Sequence, residues 1–268
     1  MVDAIACDLD GTLVADDILL RPRTRRALAD AREVGIRILI CTGRMFLSAR
    51  PFAEDAGEVD PLVCYQGAMV ADPVTGTVLH HEPVPVELAR EAVAAAQGAG
   101  LSINVYVDEQ IYVDRWTSAT DEYVAIQRAP IPVHEVGDLL AWLDRPPTKL
   151  VSIDAPERLA ELEGALRERF AGRLNVMRSL PQFLEFTAPG ATKYHGLERL
   201  AALLGLERSR IVAFGDGEND FDLLRFAGYG VAVANAHPVL RERADLVCPS
   251  VEEEGVAQVV EAFLHSGR

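Results

Sequence analysis

The stretch "IACDLDGTL", Ile5 to Leu13, decides how the rest of the chain is read. It opens as a short apolar run of the kind that forms a buried strand. It ends in two carboxylates one residue apart, Asp8 and Asp10, with Gly11 behind them. Side chains two apart in an extended strand point to the same side, so these acids crowd each other unless the chain turns. At about 4 Å, two such charges repel by roughly 4 kcal/mol at an effective dielectric near 20. A bound cation, or a chemical task for the two acids, is the compensation such a pair calls for.

Outward from this strand, short apolar runs alternate with amphipathic stretches, the pattern of an α/β protein. "PRTRRALADAREVG" predicts a helix with Ala27, Leu28, Ala31 and Val34 on its apolar face and Gly35 as its stop. "IRILICT" and "PLVCY" predict further strands, with a helix from "FLSARPFAEDAG" between them, and "MVADPVTGTVL" a hairpin. Strands apolar along nearly their whole length suit a parallel sheet covered on both faces. From residue 82 to about 188 the texture changes to helices mixed with strand pairs, which predicts an α+β module inserted between core segments 1–81 and 189–268, its edges marked by Pro83, Pro85, Pro189 and Gly190. The α/β texture then resumes with a helix in "YHGLERLAALLG" and with "RIVAFGD", a second apolar run that ends in a carboxylate. In open α/β sheets ligands bind at the carboxyl ends of the strands, so Asp8, Thr42 and Asp216, each closing such a run, are expected at one crevice.

Composition narrows the classes. With 268 residues, 49% hydrophobic and 25% charged, the chain has the make-up of an ordinary globular protein large enough for one domain or two unequal ones. A net charge of −15 argues against nucleic acid as a partner, because phosphate backbones are held by clustered Lys and Arg. A small anionic substrate remains compatible if a metal ion and a few basic residues invert the field locally. No apolar run is long enough to span a membrane, and "MVDAIACD" lacks the basic start of a secretory signal, so the cytoplasm is the expectation. Cys7, Cys41, Cys64 and Cys248 show no paired spacing, and for the three of them that lie inside or at the end of apolar strand-like runs a reduced, buried thiol is the expectation. Only two of the 26 basic residues are lysines, Lys149 and Lys193. Lys149 begins a predicted strand and is read as structural. Lys193 sits at a helix start, where the dipole disfavours a cation unless an anion is near.

Four segments in order, "DLDGTL" at 8–13, "TGR" at 42–44, Lys193 in "GATK" and "GDGEND" at 215–220, resemble the motifs of the haloacid dehalogenase (HAD) superfamily. The place and size of the insert, and the tail "VAVANAHPVLRERADLVCPSVEEEGVAQVVEAFL", are similar to the Cof-type or class IIB phosphatases, which carry a large α+β cap. The resemblance implies a Rossmann-like core with that cap and an Mg2+-dependent phosphatase acting on a small phosphorylated metabolite through an aspartyl phosphate.

Phosphoryl transfer needs an in-line nucleophile, charge neutralisation and a proton donor for the leaving oxygen. On the resemblance, Asp8 is the nucleophile, already ionised at neutral pH. Asp10 is the acid and base, its backbone carbonyl helping to hold the metal. Thr42, Gly43, Arg44 and Asn219 are expected at the phosphate, Lys193 between nucleophile and phosphate, Asp8, Asp10 and Asp216 around Mg2+, and Asp220 behind them. For Thr42 a plain helix cap, and for Arg44 a surface ion pair, are alternative readings. Gln66 in "YQGAM" stands where Asn is usual in the family and is given no catalytic role. Asn235 is read as a loop-capping amide or a phosphate-side contact. Tyr106, Tyr112, Arg115 and Trp116 form an expected aromatic and basic cluster for the leaving group, with core packing as the competing reading. A phosphomutase, or a catalytically silent binding protein of the same fold, are the other functions open to these residues; oligomeric state is not legible.

Overall fold

The structure is a computed structural model and describes residues 2–265 apart from 18, 58, 59, 126 and 128. The chain runs β1 (Ala4–Cys7), α1 (Pro22–Glu33), β2 (Arg37–Ile40), α2 (Phe46–Ala56), β3 (Leu62–Cys64), β4 (Met69–Ala71), β5 (Val78–His81). It continues with α3 (Val86–Gly98), β6 (Ser102–Val107), β7 (Gln110–Val113), α4 (Ser118–Ala125), β8 (Val133–Glu135), α5 (Leu139–Trp142), β9 (Lys149–Ile153), α6 (Pro156–Arg169), β10 (Asn175–Leu180) and β11 (Phe183–Thr187). The last part is α7 (Lys193–Leu204), β12 (Ile211–Gly215), α8 (Phe221–Phe226), β13 (Tyr229–Val233), α9 (Pro238–Arg243), β14 (Leu246–Cys248) and α10 (Gly255–His265). Two compact units result, Met1–His80 with Thr192–Arg268, and His81–Ala191.

In the first unit a parallel sheet has the order β14-β13-β12-β1-β2. All residues of β1 and β12 are buried, as their unbroken apolar sequences require of strands covered on both faces. β1 is an interior strand: the chain leaves it toward β2 on one side and later returns to β12 on the other. Connections that diverge in this way leave a crevice beyond the strand ends, and Asp8 and Asp216 follow the two strands that flank it. A bridge from Cys41 to Val63 continues the pairing beyond β2, and β3, β4 and β5 form a second small sheet that includes the expected hairpin. Helix α1 packs against α10 and α2, and α7 against α8. The buried face of α1 holds Ala27, Leu28 and Ala31 as expected, together with Thr24. Val34 departs from the expectation: it is the cap residue, 67% exposed, because the helix stops one residue before it and Gly35 turns the chain at φ 87°.

The second unit is a sheet of order β10-β11-β9-β6-β7-β8, antiparallel except for β7 with β8. One face, with Ile103, Val105, Leu150, Leu184 and Phe186, packs with residues of α3, α5 and α6 into an apolar core. The register separates the aromatic cluster expected from the sequence. Tyr106 pairs with Ile111 and Val105 with Tyr112, so the two tyrosines lie on opposite faces. Tyr106 is fully buried, edge-on to Tyr123, whereas Tyr112 stacks on Trp142 and His134. The Trp116 indole N–H, on the surface, donates to Asp121 at 2.7 Å. All four cysteines are buried and form no disulfide, and no helix among the described residues is long and apolar enough to cross a membrane.

Candidate active site

Asp8 stands one residue beyond β1, and its backbone N–H still donates to the Phe214 carbonyl of β12 (3.1 Å), so the sheet itself fixes its position. It is 6% exposed. Lys193, the first residue of α7, reaches it: Nζ lies 2.7 Å from Asp8 Oδ1 and 2.6 Å from Asp220 Oδ1. Thr192 caps this helix, its hydroxyl accepting from the His195 N–H at 3.2 Å. A lysine at a helix N-terminus is opposed by the dipole, and here the two carboxylates offset that cost. Burial draws the Lys193 pKa down, but the charges of Asp220 and Asp8 outweigh burial and hold the ammonium above its ordinary range.

Asp216 follows β12, and its Oδ1 accepts a hydrogen bond from the Thr12 hydroxyl at 2.7 Å. Gly11 makes this approach possible. It sits at φ 82°, and a Cβ on it would come within 2.3 Å of Asp216 Oδ2. Asp220, fully buried, turns its other oxygen back to the backbone N–H groups of Asp216 (3.0 Å) and Gly217 (2.9 Å), closing the 216–220 turn. Asp10 is different. Its side chain is 44% exposed and is held by both forks of Arg44, Nε to Oδ2 and Nη2 to Oδ1, each at 2.7 Å. Arg44 also donates through Nη1 to the Ser48 hydroxyl (2.9 Å) and lies over the Phe52 ring. The side chain that the sequence offered to a phosphate, or to a surface ion pair, is therefore largely buried on Asp10.

Thr42 is 1% exposed and follows the Cys41 bridge; its hydroxyl accepts from the Arg44 N–H at 3.1 Å, the local cap its position suggested. Gly43 lies against the Gln66 side chain, and the Gln66 Oε1 accepts from Asn219 Nδ2 at 3.0 Å. Asn235 is a loop-capping amide: Nδ2 donates to the Gly11 carbonyl (2.8 Å) and Oδ1 accepts from the Val251 N–H (2.9 Å). The Thr12 contact with Asp216 and the Gln66 contact with Asn219 were not anticipated. Thr12 follows the acids closely enough to suggest a local role, but nothing near Gln66 in sequence points to residue 219.

Carboxylate oxygens of Asp8, Asp216 and Asp220 all lie within 4.8 Å of one another, an arrangement that could hold a metal ion. The charge balance favours one. Four carboxylates, Asp8, Asp10, Asp216 and Asp220, face two cations, Lys193 and Arg44, which leaves an excess of two negative charges when all are ionised. Burial, with the charges of Asp220, Asp216 and Asp10 and against the pull of Lys193, pushes the Asp8 carboxyl well above the usual range. Burial and then the Asp220 charge raise Asp216 to about 7, with the Thr12 hydrogen bond and Lys193 opposing. Acids raised in this way are buried beside more negative charge than Lys193 offsets. The donor set fits a hard cation: the acids offer only oxygens, and Asp220 has both of its oxygens engaged, by Lys193 and by two backbone N–H groups, whereas Asp8 and Asp216 each commit Oδ1, to Lys193 and to Thr12, and keep Oδ2 to offer a metal.

Known proteins carry the same plan. The phosphatase YitU of Bacillus subtilis, named for 5-amino-6-(5-phospho-D-ribitylamino)uracil, is 28% identical over 265 residues, covering 97% of this chain and 96% of that protein. A haloacid dehalogenase-like hydrolase from Bacteroides thetaiotaomicron superposes with a TM-score of 0.87 at 27% identity, over 98% of this chain and all of the other. A subclass IIB sugar phosphatase of the superfamily, 23% identical, shares the fold with a TM-score of 0.83, over 99% of each chain. A family model described as haloacid dehalogenase-like hydrolase matches residues 5–260. The strand-end acids Asp8 and Asp216, and the lysine that ties Asp8 to Asp220, thus sit in a chain that, over nearly all of its length, belongs to the haloacid dehalogenase-like hydrolase family.

Proposed function

We propose that this protein is an Mg2+-dependent phosphatase that hydrolyses a small phosphorylated metabolite through an aspartyl phosphate on Asp8. The observation that carries the reading is the junction made by Lys193, which binds Asp8 and Asp220 at once beside the raised carboxyl of Asp216. Mg2+, held by the Asp8 and Asp216 carboxylates with the Asp10 backbone carbonyl as a further ligand, would supply positive charge against the phosphoryl oxygens.

The chain's own residues do the rest. An Asp8 oxygen attacks phosphorus while the bond to the leaving oxygen breaks, and Asp10 gives that oxygen its proton, releasing the alcohol. Water then attacks phosphorus, Asp10 takes the proton, and inorganic phosphate and free Asp8 are restored. Asp10 suits this exchange because it alone of the four acids is substantially exposed, while Arg44 keeps its carboxylate in a fixed plane. Lys193 moves no proton: its ammonium is held charged and acts as a fixed cation for nucleophile and phosphate. Thr42, Gly43 and Asn219 bind phosphate oxygens, and Asp220 orients Lys193 and the 216–217 backbone. Residues 82–188 form the cap that selects the leaving group.

The test is phosphate release from a panel of sugar, nucleotide and cofactor phosphates that includes the ribitylaminouracil phosphate of the relative's name, with magnesium and with chelator. Free inorganic phosphate that depends on magnesium and is lost in Asp8→Asn is the expected result. An isomeric phosphate ester as product, or release that survives Asp8→Asn, overturns the proposal.

A further inference from the structure

Gln66 lies in the tight turn after β3, where Tyr65 and Gln66 both adopt left-handed backbone, φ 52° and 59°. Two successive residues with side chains in that region are strained, and such strain persists only where the surroundings impose it. The surroundings here are the two loops expected at the phosphate. The Gln66 backbone N–H donates to the Thr42 carbonyl (3.1 Å), and its Oε1 accepts from Asn219 Nδ2 (3.0 Å). Its Nε2 packs on Gly43 so closely that a Cβ there would fall 2.3 Å from it. The residue is 1% exposed, and Nε2 is buried with no hydrogen-bond partner among the described residues. A buried donor left unmet is costly, and a folded chain retains one where a ligand completes it.

We infer that Gln66 is a positioning residue of the phosphoryl pocket, whose Oε1 fixes Asn219 and whose Nε2 is the donor met by an anionic oxygen seated at Gly43. Length decides the matter: asparagine is one methylene shorter and cannot brace Asn219 and Gly43 together from this backbone. The inference rests on the reading of the pocket as a phosphate site and adds a residue to it.

The two ends of the amide make different predictions. Gln66→Glu keeps an acceptor for Asn219 but replaces the donor with a negative oxygen; Gln66→Leu removes both; Gln66→Asn keeps the chemistry and loses the reach. Binding of inorganic phosphate in the presence of magnesium, followed by calorimetry, is expected to weaken at least tenfold in Gln66→Asn and in Gln66→Leu, and further in Gln66→Glu, with KM rising in the same order. Thermal unfolding of each variant checks the fold, and Asn219→Ala, which leaves the strained turn untouched, is expected to match Gln66→Asn. A bridge that merely holds the loops together predicts the reverse order, with Gln66→Glu near wild type, and that result overturns the inference. The same holds for unchanged phosphate binding in folded variants. Wild-type protein that does not bind phosphate overturns this inference together with the pocket, whereas phosphate release that survives Asp8→Asn strikes only at the covalent mechanism.

Discussion

The two lysines of this chain fall one in each unit, and both are buried against carboxylates. In the inserted unit Lys149 meets Glu185 at 3.3 Å and lies over the Tyr106 ring, one cation with one anion on a sheet face. In the core unit Lys193 joins Asp8 and Asp220, with Asp216 close by, and negative charge is in excess. A matched buried pair is an ordinary structural solution whose net worth is small, since desolvation cancels much of the attraction. An unmatched cluster raises the pKa of its acids and is stable only with a further cation or with protons. That imbalance, more than burial or the presence of a lysine, separates a site from a support.

The largest effect that could break this contrast is at Asp8, the proposed nucleophile. Asp8→Asn is expected to lower kcat by about a thousandfold or more in phosphate-release assays, while the protein stays folded because the variant relieves repulsion. Next are the lysines themselves. Removing one partner of a buried pair costs about 3–5 kcal/mol, so Lys149→Met alone should destabilise by that order. The double change Lys149→Met with Glu185→Leu should restore stability in denaturant unfolding, whereas Lys193→Met paired with Asp220→Leu should restore neither stability nor phosphate release, because it leaves Asp8 without its cation and the Asp216 and Gly217 N–H groups without their acceptor. Equal behaviour of the two pairs would erase the distinction.

Arg44 sharpens it on the acid and base side. Arg44→Ala is expected to slow turnover of alkyl phosphates by about a hundredfold and of aryl phosphates far less, because a good leaving group does not need the proton that Asp10 is proposed to give. A uniform loss across leaving groups would point to lost phosphate binding instead.

Smaller effects concern protons. Asp216 has its folded pKa raised to about 7, above the ordinary carboxylate value of 3.8. In metal-free protein the folded state therefore binds the extra proton between these values, and this group's stabilisation is complete below pH 3.8 and lost as pH rises through 7. Magnesium held as proposed would compete for the same oxygens, so its affinity, measured by calorimetry, should fall by up to about tenfold per unit as pH drops below 7. Thr12→Val, which removes the hydroxyl that holds Asp216 down, should move that profile to higher pH. A profile that stays in place would mean the Thr12 contact does not govern Asp216.

Much of the fold was legible because its signals are local. The apolar runs that became β1, β2 and β12 are buried along nearly their whole length, and the turn residues after them mark where they stop. Asp8, Asp216 and Lys193 were legible for a related reason: each is an electrostatic misfit in its own segment, an acid closing an apolar strand or a cation opening a helix. Tyr106 and Tyr112 were not, since only the register of β6 against β7 assigns a face, and a shift by one residue would exchange them. Arg44 was one arginine among many, and its meaning depends on Asp10, 34 positions away. Gln66 had no local signal at all, because its partner Asn219 is 153 positions distant.

The amino-acid sequence alone determined the order of strands and helices, the carboxylates that end two of the strands, and the excess of negative charge at those ends, because periodicity and misfit act within a few residues. Tertiary structure alone decided which acids share a lysine, which acid stays exposed under an arginine fork, and which glutamine reaches Gly43 and Asn219. Those are contacts between distant parts of the chain, set by the parallel pairing of β1 with β12 inside the sheet and not by anything in either segment.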